Sequence, residues 1–80
     1  MEKLSSGFVM IECKQKSLDE IINQLNEIDI VKEFILVEGL WKIIVRLEAK
    51  NLDDIREIIR WKIRKMIGIK STLTLIEHIT

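Results

Sequence analysis

Few residues in this 80-residue chain have a reactivity of their own: one thiol, one imidazole, and a basic run that carries an indole. Cys13 ends the stretch Gly7-Phe-Val-Met-Ile-Glu-Cys13 on the same side as Val9 and Ile11, the setting of a small core residue. A reactive thiolate would want a cationic, exposed surrounding. His78 has no second histidine or soft ligand with which to share a transition metal, and no orienting partner for acid–base work. The three glycines form no phosphate-cradling loop. No metal or cofactor is expected, and the chain does not read as an enzyme.

Arg60-Trp-Lys-Ile-Arg-Lys65 places four cations and an aromatic ring within one short run. It could track phosphates while Trp61 stacks on a base. It could equally be a helix C-terminus whose cations complement the dipole and pair with Asp53, Asp54 and Glu57. Nothing elsewhere extends the patch, and Trp41 to Glu48 lacks the glycine–aromatic motif of an RNA-reading sheet. Direct DNA binding is not expected.

The elements that must position these groups follow from periodicity. Residues 7–13 alternate as a strand that is apolar on both faces. Ser17-Leu-Asp-Glu20 spells a capping box, and Leu18, Ile21, Ile22, Leu25 and Ile28 make the buried stripe of a first helix. Residues 31–37 and 41–48 form a hairpin around Gly39. Asn51 caps a second helix whose stripe is Leu52, Ile55, Ile59, Ile63 and Met66, and Gly68 suits its left-handed C-terminal position. A last strand runs from Ile69 to about His78. Strand, helix, strand, strand, helix, strand is the ferredoxin-like α+β order: a four-stranded antiparallel sheet with two helices on one face.

Two helices can cover one face only. Counting by twos places Val9, Ile11, Cys13, Ile35, Ile43, Val45, Leu73 and Leu75 beneath the helices. The open face then presents Phe8, Met10, Phe34, Leu36, Ile44 and Ile76 among Thr72, Thr74, Glu12 and Arg46. That apolar patch is more than a soluble monomer usually shows, and it predicts a homodimer that stacks sheet on sheet, an assembly of the α/β-barrel kind. Counting 100° per residue along the second helix sets Trp61 opposite the core, beside Glu57, Arg60 and Arg64. As an interface residue it would join dimers into a larger ring; as a plain surface residue it would lie flat on arginine stems.

Size and composition agree with assembly. A chain this short removes only about 60% of its unfolded surface from water, yet 48% of its residues are hydrophobic and none is proline. A single cysteine leaves no internal disulfide or cysteine-built zinc site to compensate, so oligomerisation is the expected substitute. The net charge is zero but unevenly spread: residues 1–40 hold four basic against eight acidic side chains, residues 41–80 nine against five. That asymmetry can orient subunits and gives no overall field for nucleic acid. No apolar run approaches a bilayer-spanning length and no signal-peptide core opens the chain, so a single cytoplasmic domain over residues 1–80, without membrane contact, is expected.

Val37-Glu-Gly-Leu-Trp-Lys-Ile-Ile-Val45, Asn51-Leu-Asp-Asp-Ile55 and Gly68-Ile-Lys-Ser-Thr-Leu-Thr-Leu-Ile76 together resemble the effector-binding (RAM) domain of the Lrp/AsnC, or feast/famine, regulators. The closing pattern at Gly68, Ile69, Thr72 and Thr74 is its most specific part. The resemblance implies a role in transcription regulation, dimers gathered into octameric rings, and an amino-acid effector bound between dimers. It also implies a ligand-binding set: Glu38, Gly39, Leu40, Trp41 and Lys42 of the hairpin, with Thr72 and Thr74. The family's hairpin often reads Thr-Gly-x-Tyr-Asp, so Lys42 reverses the charge where an aspartate would hold an ammonium group. Either Lys42 takes a carboxylate and Glu38 or a neighbouring chain supplies the anion, or the site is purely structural. Only six residues precede Gly7, too few for the helix-turn-helix that family members usually carry. The resemblance is thus to a stand-alone RAM domain, sensing alone or co-assembling with full-length Lrp/AsnC regulators. Small dimeric α/β-barrel enzymes and the ACT domain share the topology; the first would need polar groups converging between sheet and helices, and the second is separated by the closing strand.

Overall fold

β-branched and aromatic residues recur in all four strands of the computed structural model, which describes residues 4–77: β1 Ser5–Cys13, β2 Val31–Leu36, β3 Ile43–Ala49 and β4 Ile69–Ile76. Helices α1 (Leu18–Asn26) and α2 (Leu52–Ile58) follow β1 and β3. The strands lie in the order β2-β3-β1-β4, every neighbour antiparallel, which is the ferredoxin-like arrangement. His78 and any continuation of β4 toward it lie outside the described residues.

The core sits between the helices and one face of the sheet. Val9, Ile11, Ile43, Val45 and Leu47 from the central strands meet Ile21 and Leu25 of α1 and Ile55 and Ile63 of the second helical segment, all fully buried. No polar or charged side chain among the described residues is buried there. Apolar burial against a single sheet face is thus the main source of stability.

The second helix begins as its sequence dictates: Asn51 Oδ1 accepts from the Asp54 amide at 3.0 Å, and Asp53 and Asp54 occupy the first turn. It does not stay α-helical. Ile59–Ile63 winds as a π-helix, and the Arg64 amide donates to the Ile59 carbonyl at 2.9 Å. The spacing of its buried residues supplies the reason: Ile55, Ile59 and Ile63 stand four apart, and at 3.6 residues per turn each such step overshoots by about 40°. A wider π turn takes back the drift and keeps all three on the core.

The first helix departs from its sequence signal. Ser17 belongs to a 3-10 turn, Gln15–Ser17, and has helical φ and ψ of −96° and −5°, so its side chain makes no capping bond. The capping box with Glu20 is not formed, because capping needs an extended residue at that position. The Ser17 side chain instead packs on Gly68: a Cβ there would stand 2.1 Å from Ser17 Oγ, and Gly68 has φ +95°.

Both edge strands are out of phase with a simple count by two. On β2, Val31 pairs with Leu47 and Glu33 with Arg46, leaving Lys32 as an extra residue; on β4, Ile69 pairs with Cys13 and Ser71 with Glu12, leaving Lys70 extra. Each bulge turns the rest of its strand over. Phe34 and Leu36 therefore pair with Val45 and Ile43 on the helix side, while Ile35 pairs with Ile44 on the open side. Likewise Thr72, Thr74 and Ile76 lie opposite Ile11, Val9 and Gly7 on the helix side, and Leu73 and Leu75 lie opposite Met10 and Phe8 on the open side. A Cβ added at Gly7 would find Ile76 Cδ1 at 3.2 Å and Ile55 Cγ2 of α2 at 3.5 Å, which fixes the side on which Ile76 points. Of the six residues expected on the open face, Phe8, Met10 and Ile44 are there. Phe34, Leu36 and Ile76 are not, and Ile35, Leu73 and Leu75 take their places.

Candidate functional site

The open face of the sheet gathers Phe8 and Met10 from β1, Ile44 from β3, Ile35 from β2, and Leu73 and Leu75 from β4. Ile35 is 55% exposed, Leu75 50% and Leu73 44%, although each is a large apolar side chain in a regular strand. Burying such side chains is worth about 1.5–3 kcal/mol each. Polar groups frame the patch and satisfy one another. Arg46 Nε donates to Glu33 at 2.8 Å and its Nη1 to Glu48, and the hydrogen bond to Glu33, then that to Glu48, holds the guanidinium pKa above its ordinary value. At the other end Ser71 Oγ donates to Glu12 at 2.7 Å. Like-for-like contact with a second copy would thus meet apolar side chains at the centre and paired charges at the rim.

Trp61 stands on the π-helical stretch, 59% exposed, where the helical count sets it. Lys65 Nζ lies 4.5 Å above the ring centroid, a cation–π contact. Between this ring and α1 is an open groove of about 330 Å³ bordered by Gln24, Glu27 and Lys62. The acidic partners expected for the basic run do not reach it: among the described residues Asp53 pairs with Arg56, at 3.8 Å.

The hairpin folds around Gly39, whose φ of +124° is a left-handed conformation that glycine adopts readily, and the Val37 amide closes it by donating to the Lys42 carbonyl at 2.9 Å. Glu38 and Leu40 are exposed, Trp41 and Lys42 half-buried. The Lys42 amide donates to the Ile11 carbonyl at 2.8 Å and Thr72 lies opposite Ile11 on β4, so the two flank β1 from opposite sides at one end of the sheet. Thr74, opposite Val9, is two residues further along. Cys13 is buried here as a core residue. Burial pushes its thiol pKa up, and the charges of Lys42 and Lys70 offset part of that rise. Beside this corner a second open cleft of about 330 Å³ runs along β4, lined by Arg64, Ile69, Lys70, Ser71 and Thr72. Among the described residues no group of three or more His, Cys, Asp or Glu side chains is placed to hold a metal ion. No helix there is long and apolar enough to cross a membrane.

Comparison with known proteins decides the family. The sequence model described as the Lrp/AsnC ligand-binding domain matches residues 6–77, nearly the whole chain. The chain belongs to the Lrp/AsnC ligand-binding domain family. An uncharacterized HTH-type transcriptional regulator of Pyrococcus furiosus is 30% identical over 79 residues, covering 95% of this chain and 53% of that protein. The chain spans about half the length of the curated relatives it matches. Among solved structures, the crystal structure of FFRP-DM1 superposes with a TM-score of 0.86 at 31% identity, covering 92% of this chain and 99% of that one. Escherichia coli AsnC gives 0.83 at 25% identity, covering 95% and 52%. These relatives place the Lrp/AsnC domain among transcription regulators rather than enzymes.

The sequence does carry a signal for the residues that a count by two misassigns. Val31-Lys-Glu-Phe34 puts two polar residues in a row and Ile69-Lys-Ser-Thr72 three, each at the start of an otherwise alternating strand. Such a run interrupts the period of two, as an inserted bulge residue does.

Proposed function

We propose that this Lrp/AsnC domain acts in transcription regulation as an assembly and effector-binding module, pairing with a second copy through the open face of its sheet. One observation carries the reading: Phe8, Met10, Ile35, Ile44, Leu73 and Leu75 form a continuous apolar surface on a sheet whose other face is covered by helices. A two-fold contact makes that surface its own complement. Trp61 and its groove against α1 offer a second surface, through which dimers would gather into a ring such as an octamer. The hairpin Glu38–Lys42 and Thr72 would form the wall of a small-molecule site completed by a neighbouring subunit, with Thr74 further from it. An amino acid is the first effector to try, and co-assembly with full-length family members is one route by which the domain would reach a promoter. Cytoplasmic location follows from that role.

Light scattering across a dilution series tests the assembly. Particles of at least twice the 9.4 kDa chain mass are expected at micromolar concentration; a monomer throughout would end the proposal. A thermal-shift screen of the amino acids tests the effector, since a ligand at 100 times its dissociation constant stabilises by about 2.7 kcal/mol.

A further inference from the structure

We infer that the cleft along the outer edge of β4, between Arg64 and Lys70, binds small dicarboxylates. This rests on the effector-binding part of the proposed function and narrows its ligand class from zwitterions to acids. Arg64 comes from the end of the π-helical stretch and Lys70 from the bulge, so the cleft is charged from two separate elements. Neither side chain has a carboxylate within ion-pairing distance among the described residues, where the ion pairs involve Arg46 and Arg56 alone. No acidic residue lines the cleft.

The remaining lining groups suit an acid. The guanidinium of Arg64 presents the planar fork that takes a carboxylate through two hydrogen bonds, and the Lys70 ammonium supplies a second positive centre for a second carboxylate. Thr72 adds a hydroxyl donor, and Ile69 gives an apolar wall for intervening methylenes. Ser71 can only accept there, because its hydroxyl proton goes to Glu12, which lies opposite it on the open face. A zwitterion would bring an ammonium group beside these cations with no anion in the cleft to receive it.

Lys70 is the residue that the bulge leaves unpaired in register. The irregularity that sends Leu73 and Leu75 to the open face therefore also supplies one wall of the cleft. Bulges commonly re-aim a side chain in this way.

Isothermal titration of the full chain with succinate, inorganic phosphate and alanine, at constant ionic strength, tests the assignment. Saturable succinate binding is expected, weakened about tenfold or more by Arg64→Gln and by Lys70→Gln, as for the loss of a hydrogen bond to a charged group. Both side chains are exposed, so melting temperature and particle mass of the variants should match the wild type. No succinate binding, equal binding by wild type and variants, or phosphate binding without succinate would each overturn the inference. If alanine binds and both variants bind it unchanged, the effector-binding proposal stands and this assignment falls. If neither alanine nor succinate binds, this assignment falls, and the thermal-shift screen of the amino acids decides the effector-binding proposal.

Discussion

β1 and β3 run through the middle of the sheet, and from Ser5 to Ile11 and from Ile43 to Ala49 they pair residue for residue without interruption. β2 and β4 each have one free edge, and each carries an extra lysine near its start. In the centre, a slip would break a ladder on both sides and move a buried face into water, so strict alternation is enforced. At an edge only one ladder is disturbed, and a bulge with a charged residue also discourages a foreign strand from pairing there. The difference decides what the open face contains, because the central strands contribute three of its large apolar residues and the bulged edges the other three.

The contrast can be broken most forcefully at the centre. Ile11→Ala empties a fully buried site on β1 and should cost about 2–5 kcal/mol. Leu75→Ala, truncating a side chain of similar size on the open face of β4, should cost less than 1 kcal/mol at concentrations too low for assembly. Urea denaturation of both variants checks the pair, and equal costs would mean that the edge strand is as buried as the centre.

Gly68 sets the entry to β4. Gly68→Ala places a methyl group on Ser17 and strains a φ of +95°, with an expected loss of about 1–3 kcal/mol in the same assay. Adding Ser17→Gly should recover the clash but not the backbone strain.

Deleting Lys70 sharpens the comparison further. Cys13 would still face Ile69 and Glu12 would still face Ser71, so β4 becomes regular and every later residue keeps its side. Thermal melting should show a smaller loss than for Gly68→Ala. A collapse of stability would show that the bulge itself holds the edge in place.

The smallest effect concerns pH at the end of β1. The folded chain holds the Cys13 proton more tightly than the unfolded chain does, because burial raises the thiol pKa. Its contribution is therefore complete below the ordinary thiol pKa of about 8.5 and is lost as pH rises through the higher folded value. Denaturation midpoints should fall more steeply above about pH 8.5 in the wild type than in Cys13→Ala.

The fold was legible because its determinants are local: the stripe of α1, the Asn51 cap, the glycine in the hairpin, and the unbroken alternation of β1 and β3. Face assignment on β2 and β4 was not, because one extra residue reverses everything after it and a count by two cannot see the insertion. Lys32-Glu33 and Lys70-Ser71-Thr72 announce it only as consecutive polar residues. The Ser17 capping box failed for a different reason. Ser17 meets Gly68, fifty-one positions away in sequence, and local pattern carries no record of that contact. The π-helical stretch was written in the four-residue spacing of Ile55, Ile59 and Ile63, which a 3.6-residue count treats as ordinary helix. Of the candidate site, the hairpin and Thr72 lie at the same end of the sheet on opposite flanks of β1, while the cleft of Arg64 and Lys70 depends on the bulge.

Leu73→Glu tests the central claim most directly, because it places a charge on β4 at a position assigned to the exposed apolar face and away from the helices. Sedimentation equilibrium should then find a folded species at the 9.4 kDa chain mass, with wild-type circular dichroism, whereas the wild type is expected to sediment as a dimer or larger. A variant that keeps the wild-type mass, or one that unfolds because Leu73 belongs to the core, would contradict the account.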